Sequence, residues 1–154
     1  MSTVVYSGKA LGRSLIVVTA SLSEIAVLDR GSLPSCGFMA IFLLGNVTFE
    51  NAKLEAALKM VLLAGANSLL FHGERAREAE DIADDLIVRT RSTKETRSNV
   101  IVTVSKHDES LEEFLEEATH SILPAADYGL NWCSNVYFCL EGEKQAKIVC
   151  ELLR

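Results

Sequence analysis

The 154-residue chain has no excess of positive charge: 15 lysines and arginines stand against 21 aspartates and glutamates, a formal net charge of −6. Non-specific nucleic-acid binding needs clustered cations that displace counterions, and docking on anionic membrane needs a basic patch. The chain therefore predicts neither a nucleic-acid partner nor a membrane partner. Long apolar runs are missing too. The longest, Phe38 to Leu44, falls far short of the ~20 residues that cross a bilayer. The opening "MSTVVYSGK" lacks the basic start, apolar stretch and small-residue cleavage site of a signal peptide, so a cytoplasmic location is expected. In that compartment the four cysteines, Cys36, Cys133, Cys139 and Cys150, are expected to be reduced. None forms a C-x-x-C pair, which removes zinc-knuckle and thioredoxin-type readings. Cys36, the only one in an evident loop, shows no base or helix terminus to activate it and reads as a bystander.

The motifs that announce catalysis are absent as well. "SGKALGRS" (residues 7–14) is one residue short of P-loop glycine spacing and has Arg13 where the lysine belongs. It also leads into a strand, whereas a P-loop leaves one. No G-x-G-x-x-G follows a strand, no G-x-S-x-G elbow is present, and no H-E-x-x-H holds a metal. No cofactor and no metal are implied.

What is present is a core. Apolar residues make up 49% of the chain, enough to fill one domain. β-Branched and apolar runs alternate with helical periodicity. "SLIVVTA" (14–20), "FMAIFLL" (38–44), residues 67–71, "NVIVTV" (99–104) and residues 136–140 read as strands. Helices are expected after Thr48 as N-cap and up to Gly65, then over 74–88, 109–122 and 143–153. Ser110 and Glu113 fit a capping box at the third of these.

With short elements at 3–6 and 23–28, the order is β-β-α-β-α-β-α-β-α-β-α. Strands without period-2 alternation are buried on both faces. The expectation is a single-domain three-layer α/β/α sandwich over 1–154, mostly parallel and flavodoxin/Rossmann-like. Residues 1–36 supply N-terminal strands and a short helix, and 37–154 the main βα repeat.

In such sheets ligands bind outside the carboxyl ends of the strands. "GNVT" (45–48), "HGE" (72–74), "SKHDES" (105–110) and "EGEK" (141–144) end there. His72, His107 and Asp108 are the candidate acid–base or ligand groups if the two histidines face each other. The plainer reading makes Glu74 and Asp108 helix-start residues, with Gly73 permitting a tight exit. Glu74, Arg89, Arg91 and Arg97 are candidates for holding a ligand, the arginines an anion. All three arginines lie in the polar run "RTRSTKETR" (89–97), which more often is a solvated connection. Glu112, Glu113, Glu116 and Glu117 form an acidic helical face that could steer a basic partner, against the plainer reading of solubility. Trp132 is a core or interface anchor.

From Gly37 onward, "FMAIFLL" leading to a helix, "AGANSLLFHGE" and "VTVSKHDESLEEFLEEATH" resemble a family of small bacterial proteins of unknown function. His107, Asp108, Glu109, Leu111, Glu112 and Glu113 match its strand-end pattern, while Lys106 replaces its tryptophan and "FHGE" its tryptophan-glycine-proline turn. The resemblance implies a βα fold and no known activity. The leading expectation is a non-enzymatic module binding another protein. The alternative is a small-ligand-binding or metal-dependent enzyme with its site around His72 and His107, and a third reading is a homo-oligomeric structural role.

Overall fold

The apolar run at residues 38–44 becomes the middle of a sheet, and its lack of alternation has a direct cause. In a computed structural model, which describes residues 2–10, 12–90, 101–121 and 133–154, strand β3 (Phe38–Gly45) is covered on both faces. Phe38, Ala40, Phe42 and Leu44 enter one core, and Met39, Ile41 and Leu43 enter the other. A strand with two dry faces has no position for a polar side chain.

Around it run β1 (Thr3–Ala10), β2 (Arg13–Thr19), β4 (Ala66–Gly73), β5 (Val102–Lys106) and β6 (Ser134–Cys139). The sheet order is β1-β2-β6-β3-β4-β5. Among the described residues, the β1–β2 hairpin alone is antiparallel and the other four pairings are parallel. The helices are α1 (Leu22–Ala26), α2 (Asn51–Ala64), α3 (Ala76–Thr90), α4 (Leu111–Glu116) and α5 (Glu143–Leu153). A π-helical turn, Glu117–Ser121, continues α4. This is the expected element order and the expected doubly wound α/β architecture.

Direction decides the layers. The steps β2 to β3, β3 to β4 and β4 to β5 all run one way, so right-handed crossovers put α1, α2 and α3 on one face. Their buried residues share a core with Phe42, Phe71 and Phe138. Those three rings stand in register across β4, β3 and β6, with centroids 5.4 and 5.2 Å apart. The return from β5 to β6 runs the other way and carries α4 to the opposite face. There Phe114 and Leu115 meet Val149 and Cys150 of α5.

Local details depart from the sequence reading at several points. Thr48 caps nothing: α2 starts at Asn51, and Glu50 occupies the cap position without a side-chain bond. Residues 74 and 75 precede α3 rather than open it. Gly8 to Ala10, within the stretch compared with a P-loop, extend β1. A full capping box opens α1 instead, with Ser21 and Glu24 bonding each other's backbone N–H at 3.2 and 3.0 Å. Ser110 does accept from the Glu113 N–H at 3.1 Å, and Gly65 ends α2 in the left-handed region at φ 114°.

The expectation of four free thiols is also corrected. Cys36 and Cys133 are joined, their Cα atoms 6.0 Å apart, while Cys139 and Cys150 are free and buried. Arg91, Arg97 and Trp132 lie outside the described residues.

Candidate functional site at the strand switch point

Neighbouring strands β3 and β6 send their chains to opposite faces, β3 into α2 and β6 into α5. The two exits diverge, and a doubly wound sheet keeps its ligand crevice at such a point. The amide of Leu140 donates to the Leu43 carbonyl at 3.2 Å, the last rung before the strands part.

The rim beyond that rung is drawn tight by glycine. Gly73 has φ 137°, and a Cβ there would sit 2.7 Å from the backbone N and O of Gly45. Gly45 itself has φ 54°, and its own Cβ would collide with the Glu141 carboxylate. With both glycines in place, the Glu74 amide donates to Gly45 O at 3.1 Å. The Glu141 side chain lies across the β3 exit and accepts from the Asn46 amide at 3.4 Å. Gln145, largely buried on the first turn of α5, completes the arrangement. Its Oε1 accepts from the Glu141 amide at 3.0 Å and its Nε2 donates to Glu141 Oε1 at 3.3 Å. The carboxylate is thus oriented by two donors and still solvent-accessible.

Beside it opens a concavity of about 360 Å³ lined by Gly45, His72, Glu141, Lys144 and Gln145, with Leu111 and Ile148 as its apolar wall. His72 is held firmly. Its ring stacks on Phe114 at a centroid distance of 4.8 Å. Its Nε2–H donates to the Glu109 carbonyl at 2.8 Å, so the ring is anchored through that nitrogen. A second concavity, about 430 Å³, opens on the other side of Leu140, where Ser21, Ser23, Thr48 and Lys53 line it.

The remaining candidates are dispersed. His107 is not among the residues lining the concavity that holds His72. The register partner of His72 is Lys106, and His107 Nε2 lies 3.2 Å from Asp108 Oδ1, both exposed. Glu74 is exposed outside that lining as well. Arg89 serves as a strut: its Nε and Nη2 hold Asp85 and Glu55 at 2.7 Å each, tying α3 to α2. Those bonds to Glu55 and Asp85 raise its pKa further above the usual range. Glu112, Glu113 and Glu116 are exposed on α4 and Glu117 is half-buried, with Glu116 3.8 Å from His120. No group of three or more histidine, cysteine, aspartate or glutamate side chains could hold a metal among the described residues.

Sequence reasoning reached "EGEK" as a rim segment but did not single out Glu141, Lys144 or Gln145. The available signal was the glycine between a closing strand and a new helix, with a polar residue on either side. No protein-family model matches the chain, and no curated protein does either.

Proposed function

We propose that this protein binds a small amphipathic ligand carrying both charges, the class to which free α-amino acids belong, at the β3/β6 switch point. One observation carries the reading. A single concavity brings together an oriented carboxylate (Glu141), an ammonium (Lys144), an imidazole anchored through its Nε2 (His72) and an apolar wall of Leu111 and Ile148. A ligand ammonium would be met by Glu141, a ligand carboxylate by Lys144, and an apolar arm by the wall. Convergent polar groups on an apolar lining are the usual composition of a small-molecule site. The acidic face of α4 borders a concavity too, about 350 Å³, where Glu112 and Glu116 stand with His120, Arg154 and the apolar Leu115 and Leu153; the crevice is the stronger basis because its carboxylate is oriented by the Asn46 amide and Gln145.

The test is an amide NMR titration of the whole chain with a panel of apolar α-amino acids. Amine-only and carboxylate-only analogues of the same side chains serve as comparators. The expected outcome is saturable shifts at Gly45, Asn46 and residues 141–145 with the zwitterions, and weaker ones with either analogue. A panel that leaves those amides unmoved removes the reading.

A further inference from the structure

The two sulfurs that the sequence leaves unrelated, 97 residues apart, are brought together at the end of the sheet opposite the crevice. Cys36 lies just before β3 and Cys133 just before β6, and the first residues of those strands, Phe38 and Ser134, are register partners. The junction is backed by hydrogen bonds on both sides. The Cys133 amide donates to Gly37 O and the Ser14 amide donates to Cys133 O, each at 2.9 Å. The 6.0 Å Cα separation is within the range that a disulfide spans without backbone movement. The site is also accessible: Cys36 is exposed and Cys133 half-buried. Cys139 and Cys150 provide the contrast, both buried in the α4/α5 core.

We propose that Cys36 and Cys133 are a redox modification site, a reversible disulfide that latches the amino ends of β3 and β6. Three features support it: the geometry admits the bond, the surrounding backbone presets it, and solvent exposure lets a small thiol reach it. A structural bridge buried in a core has only the first two. Opening consumes a dithiol. One of its thiolates attacks Cys36 Sγ and releases Cys133 as a thiolate, which takes up a proton. The second thiolate of the reagent then attacks the mixed disulfide, releasing Cys36 and leaving the reagent as its own disulfide. Two electrons and two protons pass to the protein. Closing is the same sequence run backward against a low-molecular-weight disulfide. The latch falls on the two strands whose opposite ends part to form the crevice, but its existence is independent of what the crevice binds.

The experiment uses the full chain, equilibrated with reduced or oxidised dithiothreitol, labelled under native conditions with a maleimide, and mapped by peptide mass spectrometry. The oxidised sample should yield a crosslinked pair of peptides containing Cys36 and Cys133, with neither labelled. The reduced sample should carry label on both, and Cys139 and Cys150 should resist it. Because the bridge closes a loop of nearly 100 residues, reduction should lower Tm by on the order of 10 °C. Cys36→Ser and Cys133→Ser should each abolish the redox dependence of Tm. Equal labelling of Cys36 in both samples, a crosslink to another cysteine, or a redox shift of Tm that survives in either variant overturns the proposal. The peptide map of the unmutated chain decides the matter even if a variant fails to fold.

Discussion

Polar groups gather at both ends of strand β6, and they act there in opposite ways. At the amino end, Asn135 and Tyr137 point into the α4/α5 core and are fully buried. There the Arg13 guanidinium donates to Asn135 Oδ1 at 3.3 Å and to the Thr119 carbonyl. Asn135 Nδ2 donates to Ala118 O at 3.3 Å and to the Tyr137 hydroxyl at 3.2 Å, and Thr119 Oγ1 bonds that hydroxyl at 2.8 Å.

The π-helical turn after α4 makes this possible. Its i→i+5 pattern differs from the α ladder, and the carbonyls of Ala118 and Thr119 are reached there by side chains from β6 and β2. Burial lowers the Arg13 pKa and raises that of Tyr137. At the carboxyl end, Glu141, Lys144 and His72 instead surround an open concavity. Polar side chains thus stabilise a core where they face one another and form a site where they face water.

The largest expected effect tests where the dry core stops, just under the rim. Burial, then the neighbouring Cys150, pushes the Cys139 thiol up from 9.0 to about 12. A folded pKa above the unfolded one means the contribution is fully present below pH 9 and is lost as pH climbs toward 12. The loss reaches about 4 kcal/mol at the top of that range. Urea unfolding at a series of pH values should show it, and Cys139→Ala should flatten that part of the profile. Coincident profiles would place the thiol in water and move the boundary inward.

Next comes Asn135→Ala, which strips a buried partner from Arg13 and from the Tyr137 hydroxyl. It should cost about 3 kcal/mol in chemical denaturation and leave amino-acid binding at the rim unchanged. Smallest in stability is Glu141→Gln, expected within about 0.5 kcal/mol of the parent yet weakening zwitterion binding in the same titration. If Asn135→Ala and Glu141→Gln exchanged these phenotypes, the contrast between the two ends would be reversed.

Much of this architecture was legible because it rests on short-range pattern. The two-faced burial of β3 is written in the unbroken run 38–44, and the helical faces of α2, α3 and α5 recur at the spacing the structure uses. Crevice membership was only half legible. His72 could be named as a rim residue, but its pairing with Glu141 and Gln145 instead of His107 depends on β6 inserting between β2 and β3. Strand order across a sheet leaves no local trace. The same long-range closure hid the partner of Cys36. Arg13 was read only as a failed P-loop position, because its role depends on a carbonyl of a π turn more than 100 residues away.

That insertion carries a cost during synthesis. Arg13 and Asn135 are 122 residues apart, so β2 leaves the ribosome long before the strand that must lie beside it. At roughly 5–20 residues per second, translation holds β2 and β3 apart for on the order of ten seconds, each lacking its shared neighbour. In that interval Val17 and Ile41 have no Tyr137 between them. The β2–β6 and β3–β6 pairings, and with them the joining of the β1–β2 hairpin to the rest of the sheet, must wait for that last strand.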